Sequence, residues 1–423
     1  MKMIKAFRVV LASLVGCLAL GAGAAEPTIS NVSVHQRWPW SRLVNIDYTL
    51  TCDDSNRVDV TVTAFNSATP LTLPKTSLSG DVDSVPPGAR RIVWDPSKTA
   101  YTNELLTLFR VNLAPALSPA YMIINLAKAK GEEGQFTYLY DWNTVWYDVT
   151  NHVENMTTNL VLRRIPSGTF LEGSPTSELN HGSNEDRRQV TLTEGFYIGV
   201  FEVTQKQWAL LMDNAWPSYF TNEMCRATRP VEQITYAATR GTTRTVGVID
   251  TSSFMGRLNA KTGLTVDLPT EAQWEYACRA GTTGRFYHGI ASPDLATQTL
   301  YVRGNENGGG YTYKDTGTNG IDRAVDDTKA TARVGSYLPN AWGLYDMHGN
   351  VWERTVDNHQ VNWGFSATNN PVYFNASSDT FTIRGDCFDQ SVFLARSAIR
   401  VQQGGRTSGT SANQGFRVWV AIP

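Results

Sequence analysis

Histidine is scarce in this chain and charge is thin. The six histidines show no His-x3-His or similar ligand spacing, so a histidine-built metal centre is not written here. Charged residues are 18% of the 423, with a formal net charge of -2, which gives no basic field for nucleic acid or an anionic membrane. Beyond the N-terminus there is no apolar run approaching the ~20 residues that a membrane-crossing helix needs, so no transmembrane span is expected. No Gly-x-Ser-x-Gly elbow occurs, and Gly308-Gly309-Gly310 lacks the following lysine of a phosphate cradle.

Glycine, tryptophan and tyrosine are plentiful instead, at 34, 12 and 17. Many tight turns and large aromatic anchors describe an ordered, loop-rich, β-leaning protein. The length is too great for one compact core and suits two or three domains. Residues 1–25 read as an export signal: Lys2, Lys5 and Arg8 are the basic region, Val9 to Leu20 the apolar one, and Ala22-Gly23-Ala24 the cleavage site. Leu14-Val15-Gly16-Cys17 also resembles a lipobox, with a lipid anchor at Cys17 as the alternative. The apolar sequence that continues past Cys17 favours ordinary cleavage. In either case the protein is expected to be exported: periplasmic, cell-surface or secreted. Cys52, Cys225, Cys278 and Cys387 then remain, and the pairing among them stays open.

Residues 26–115 alternate apolar and polar side chains with period two, as in Val44, Ile46, Tyr48 and Leu50. Turn signals such as Asp53-Asp54-Ser55-Asn56 and Pro86-Pro87-Gly88 separate these runs. The pattern predicts a small all-β, immunoglobulin-like sandwich. It clusters no chemistry and reads as a spacer, with a partner-binding module as the alternative. Ala114-Pro115-Ala116-Leu117-Ser118-Pro119 reads as a linker, and the remainder of 116–159 as an aromatic apron able to pair with either neighbour. Further on, Thr204-x-x-Gln207 and Thr270-x-x-Gln273 are capping boxes that open helices. The second helix is expected to end at Gly281, and a third to run from about Ser252 to Ala260.

Residues 160–423 carry an ordered set of blocks: Ile165-Pro166-Ser167-Gly168-Thr169-Phe170, Phe196-Tyr197-Ile198-Gly199, Leu268-Pro269-Thr270-Glu271-Ala272-Gln273-Trp274-Glu275-Tyr276, Gly343 to Glu353, Arg384-Gly385-Asp386 and Gly415-Phe416-Arg417-Val418. Together they resemble the formylglycine-generating enzyme (sulfatase-modifying factor) family. The resemblance implies an α+β, C-type-lectin-like domain with little regular structure, preceded here by the sandwich. It also implies a structural calcium ion held by the Asp346 side chain, the Gly349 and Val351 carbonyls and the Glu353 carboxylate, a hard-oxygen set that suits calcium. A second ion would involve Asp326 and the Thr328 carbonyl. Enzymes of the family bind copper(I) through two cysteines five residues apart, soft ligands for a soft ion. They use oxygen to convert a sulfatase cysteine to formylglycine.

Carried onto this chain, the two cysteine positions fall on Gln390 and Ala395, neither of which can ligate copper(I). Cys387 is the one thiol nearby and reads as buried and inert, or as half a disulfide. If the segment is a strand, Cys387 faces away from Gln390. Glu275 reads as a buried structural acceptor and His348 as a partly exposed loop residue. The sequence therefore points to a pseudoenzyme: a calcium-stabilised, non-catalytic module that binds a peptide, glycan or protein at the cell surface. The expected groove is made by Arg384, Cys387, Gln390 and Arg396. The alternative is a divergent oxidoreductase acting on a sulfatase cysteine.

Overall fold

The computed structural model describes residues 26–37, 40–243, 247–290, 293–308, 330–360, 368–375 and 377–423. The expected export signal, Cys17 within it, and the second ion pair of Asp326 and Thr328 lie outside the described residues. The chain divides into two compact units. One runs to Ala120 and includes Leu139–Thr144; the other comprises Tyr121–Tyr138 and Val145–Pro423.

The first unit is built from strands β1 (Thr28–Gln36), β2 (Val44–Thr51), β3 (Arg57–Asn66), β4 (Thr69–Leu71), β5 (Leu78–Gly80), β6 (Gly88–Trp94) and β7 (Phe109–Ser118). They form one sheet of order β1-β2-β6-β5 and a second of order β4-β3-β7. Val44, Ile46, Tyr48 and Leu50 of β2 meet Val58, Val60 and Val111 of the other sheet in a shared core. Period-two patterning produces this arrangement, because alternate side chains of a strand leave the same face. The segment read as a linker is instead strand: β7 pairs with β3 from Asn66↔Phe109 to Arg57↔Ser118. Pro115 is tolerated because β7 is the last strand of its sheet, where a missing N–H removes no bond to a further neighbour.

The second unit holds β8 (Tyr121–Asn125), β9 (Phe136–Leu139), β10 (Asn159–Ile165), β11 (Gly168–Glu172), β12 (Arg188–Leu192), β13 (Phe196–Gly199), β14 (Val266–Asp267), β15 (Trp352–Arg354), β16 (Phe381–Arg384), β17 (Arg400–Gln403), β18 (Gln414–Gly415) and β19 (Trp419–Ala421). Its larger sheet has the order β14-β19-β13-β10-β8-β9, and its smaller one β17-β16-β15-β18. The apron thus contributes β8 and β9 to this unit, while Leu139–Thr144 turns back to the first. Few helices and many short strands give the α+β, C-type-lectin-like form that the resemblance implies.

Helices α1 (Gln205–Leu211), α2 (Tyr236–Arg240), α3 (Phe254–Thr262) and α4 (Glu271–Arg279) pack on these sheets. Both capping boxes are present: Gln207 N donates to Thr204 Oγ1 at 3.2 Å and Gln273 N to Thr270 Oγ1 at 3.1 Å, while each glutamine accepts from its threonine's N–H at 2.9 Å. Ser253 caps α3. The left-handed turn after α4 begins at Ala280 (φ 45°), one residue before the expected Gly281. Trp208 of α1 stacks on Phe254 of α3 at 5.4 Å and meets Phe416 edge-on at 6.2 Å, tying the helices to the segment between β18 and β19.

Candidate functional site

The loop from Asp346 to Asn350 is wound by left-handed residues: Asp346 (φ 55°), Gly349 (φ 84°) and Asn350 (φ 61°). Gly349 is required there, since a β-carbon would meet the Arg303 carbonyl oxygen at 2.2 Å. The winding turns Asp346 inward, where Oδ2 accepts from Gly335 N at 2.6 Å and Oδ1 is buried with no hydrogen-bond partner. Glu353, on β15, accepts from Trp274 Nε1 at 2.7 Å and from Arg417 Nε at 2.6 Å, and its other oxygen pairs with the same guanidinium.

Glu202, which the sequence did not single out, completes the cluster. It accepts from Asn350 Nδ2 at 2.6 Å and from Val351 N at 3.2 Å. Burial, and then the Asp346 and Glu353 charges, raise its pKa well above the carboxylate range. Burial likewise pushes Asp346 up to about 7. Three buried carboxylates therefore surround one guanidinium, Arg417.

Ionising all three would leave negative charge in excess of Arg417, a cost that a hard cation at the unpartnered Asp346 oxygen relieves. The structure brings Asp346, Gly349, Val351 and Glu353 into one buried loop and strand. Among the described residues no group of three or more His, Cys, Asp or Glu side chains is arranged to hold a metal ion. A cation here would meet the free Oδ1 of Asp346. Both Glu353 oxygens pair with Arg417, so this carboxylate anchors that guanidinium and supplies charge to the cluster.

His348 is fully buried, not partly exposed. It stacks on Tyr287 at 4.3 Å, and its Nε2 lies 3.4 Å from Cys278 Sγ and 3.3 Å from Ser397 Oγ. Burial holds its pKa well below the usual imidazole value, so it is a neutral core residue. Burial also pushes the Cys278 thiol up to about 12. Cys52, Cys225, Cys278 and Cys387 each stand as free thiols in this structure.

The expected groove is mostly interior. Arg384, at the end of β16, pairs with Glu275, lies 3.6 Å from Glu271 and donates to the Ala398 carbonyl at 3.1 Å. Arg396 is held by Glu185 at 2.7 and 2.8 Å and by Glu178 at 2.9 Å. Both guanidiniums are buried and spent on carboxylates, so neither can face a ligand. Glu275 serves as the structural acceptor expected of it, taking N–H bonds from Gly173 and Arg279, each at 2.8 Å.

Past Arg384 the backbone leaves β16 and continues through turns, so strand alternation does not set the facing of Cys387 and Gln390. Cys387 is buried and donates its S–H to Asp389 Oδ1 at 2.9 Å. Burial, and then the Asp386 charge, push its thiol far above the usual range. Ala395 is buried against Val302 and Val392. Of the four groove residues only Gln390 reaches the surface, beside exposed Asp389. Phe388 packs edge-on to Phe220, and Phe220 to Tyr219, a residue 67% exposed. Asp389, Gln390 and Tyr219 are accessible at this end.

The family profile described as "Sulfatase-modifying factor enzyme 1-like domain" matches residues 148–422. The formylglycine-generating enzyme of Mus musculus is 31% identical over 156 residues, 36% of this chain and 38% of that protein. "Chaperone protein LppX" of Paenibacillus barcinonensis is 32% identical over 195 residues, 40% of this chain and 65% of its own length. "Inactive C-alpha-formylglycine-generating enzyme 2" of Bos taurus is 29% identical over 155 residues, 36% of this chain and 42% of that protein. Among solved structures, PvdO from Pseudomonas aeruginosa aligns with a TM-score of 0.48 at 23% identity, covering 62% of this chain and 95% of its own. No helix among the described residues is long and apolar enough to cross a membrane.

Proposed function

The chain belongs to the sulfatase-modifying factor enzyme 1-like domain family, and within it we propose that this protein is an exported, non-catalytic binding module, stabilised by calcium, for a peptide, glycan or protein partner. The observation that carries the reading is the state of the two positions where copper thiolates are expected. Gln390 offers a hard amide and Ala395 a buried methyl group. The neighbouring thiol of Cys387 is buried, protonated and bonded to Asp389.

Copper(I) needs accessible thiolate ligands, and these residues do not fit it. No oxidation step is derived from them. A rigid shell that has lost its chemistry can still present a surface, since binding residues sit on loops that the scaffold fixes. The presented groups are Asp389, Gln390 and Tyr219. A relative named as inactive and another named as a chaperone support the same direction.

Calcium suits the other cluster. When bound it would favour the ionised forms of Glu202 and Asp346, which burial otherwise keeps protonated. Asp346 would give its free Oδ1, and Asn350 would keep Glu202 oriented.

Titrating the full chain with copper(I) tests the central reading. The expected result is no thiolate-to-copper absorption band. One copper per chain with such a band would return the protein to the oxidoreductases. Export is tested by intact mass from a bacterial host: loss of the first residues up to Ala24 is expected, lipid on Cys17 is the alternative, and an uncleaved chain contradicts both.

A further inference from the structure

Two main-chain hydrogen bonds join the Asp346–Asn350 loop to the turn that carries the accessible groups. Gly349 N donates to the Gly385 carbonyl at 2.7 Å, and Phe388 N donates to the Asn350 carbonyl at 2.9 Å. Successive residues of the loop thus clamp both ends of a turn in which Gly385 (φ 91°) and Asp386 (φ 69°) are left-handed. Asp389 and Gln390 follow directly, so their place depends on where the loop holds Phe388.

Asn350 is the residue common to the two places. It is fully buried, and its side chain faces the carboxylate cluster: Nδ2 donates to Glu202 Oε2 at 2.6 Å, while Oδ1 accepts from Ala332 N at 2.8 Å. Its main chain donates to the Arg303 carbonyl at 3.0 Å and accepts from Phe388. The Phe388 ring meets Phe220 edge-on at 5.4 Å. That partner is fixed without the loop, because Tyr219 N and Phe220 N donate to the Glu232 carboxylate at 2.9 and 3.2 Å. One side of the accessible end therefore rests on Glu232 and the other on Asn350. Beyond Phe388 the turn gains a bond from Asn305 N to the Gln390 carbonyl at 2.8 Å and an exposed one from Asn413 Nδ2 to Asp389 at 3.2 Å.

We propose that cation binding at Asp346 regulates the Asp389–Gln390 surface, with Asn350 as the positioning residue that carries the effect to the 385–390 turn. The loop is wound through two left-handed non-glycine residues, Asp346 and Asn350, a conformation that costs energy and persists where surrounding contacts hold it. The buried, unpartnered Asp346 oxygen favours unwinding toward water, since an unsatisfied polar atom inside is costly. A cation on that oxygen removes the incentive, and the Asn350 carbonyl then stays where Phe388 N meets it. A turn ordered beforehand binds a partner at a smaller entropic cost, and by reciprocity the partner would tighten cation binding. The proposal rests on the calcium and binding-module readings above and adds the connection between them.

The test follows amide exchange of the full chain in saturating calcium and in chelator, with calcium binding itself measured by calorimetry. In wild-type protein calcium is expected to slow exchange of the Phe388 to Gln390 amides by about tenfold, within the usual range of coupling between sites. The amides of α1 serve as the comparison and should change less. Asn350→Gly keeps the left-handed backbone accessible and removes the side chain that faces Glu202. It should bind calcium more weakly and, once saturated, lack the slowing at Phe388. Calcium binding with unaltered exchange at 388–390 overturns the coupling and leaves the calcium reading standing, whereas a chain that binds no calcium overturns both. Equal slowing in α1 and at 388–390, or full slowing in saturated Asn350→Gly, also overturns the coupling. Should the variant fail to fold, the wild-type comparison between α1 and 388–390 decides. Exchange needs no partner, so none of these outcomes turns on the identity of the bound molecule.

Discussion

Arg417 and Glu353 form a fully buried, two-pronged ion pair, and the same carboxylate accepts the Trp274 indole N–H at 2.7 Å. Arg417 also donates to the Gly199 and Tyr345 carbonyls, at 2.8 and 3.0 Å, joining β13 to the Asp346 loop. Arg417→Met would leave Glu202, Asp346 and Glu353 without their cation. Breaking such a pair on one side costs about 3–5 kcal/mol, so urea melts should show a loss of that order. A loss under about 1 kcal/mol, the range of an exposed pair, would show that the cluster is not held as described.

Calcium should matter through Asp346. In wild-type protein a chelator is expected to lower the melting temperature, and added calcium to restore it. Asp346→Asn removes one of the clustered charges, so it should melt higher than wild type in chelator and gain nothing from calcium. Identical chelator effects in the two proteins would remove Asp346 from the site.

Stability should fall as the solution turns mildly alkaline. Burial raises Asp346, Asp357 and Asp386 to about 7 and Glu172 to about 8. A carboxyl whose folded pKa lies above its unfolded one binds more protons when folded, and its contribution is lost as pH rises through the folded value. His348 and His359 are depressed and act oppositely, but only up to the unfolded histidine value of about 6.5. Calcium-free protein should therefore lose stability between about pH 6.5 and pH 8.5. Denaturant midpoints at those two pH values measure it; a rise would contradict the raised carboxyls.

Thr270→Ala should destabilise α4 by about 1 kcal/mol, the usual worth of an N-cap side chain. It frees the Gln273 N–H that Thr270 Oγ1 accepts. A change within experimental error in urea unfolding would mean the box contributes nothing beyond helix propensity.

The local features were legible in the sequence because their partners are three residues apart, as in Thr204 with Gln207 and Thr270 with Gln273. The β-alternation that buries Ile46 and Tyr48 was legible for the same reason. What escaped depends on contacts made across the chain. Glu202 reaches Asn350, and Arg396 is captured by Glu185 and Glu178. Nothing in the vicinity of Arg384 or Arg396 announces the carboxylates that bury them, so both read as ligand-facing. Pro115 and Pro119 suggested a linker because composition does not reveal that an edge strand tolerates proline. His348 was misplaced since the aromatic stack that encloses it, Phe286 and Tyr287, comes from another loop.

The account turns on whether the Gln390 and Ala395 positions leave the chain without oxidative chemistry. Purified full-length protein should be incubated with copper, oxygen, a reductant and a Cys-x-Pro-x-Arg peptide, and the peptide mass followed. No conversion of the cysteine to an aldehyde is predicted, with or without Cys387→Ser. Aldehyde formation at turnover comparable with an authentic formylglycine-generating enzyme, abolished by Cys387→Ser, would contradict it.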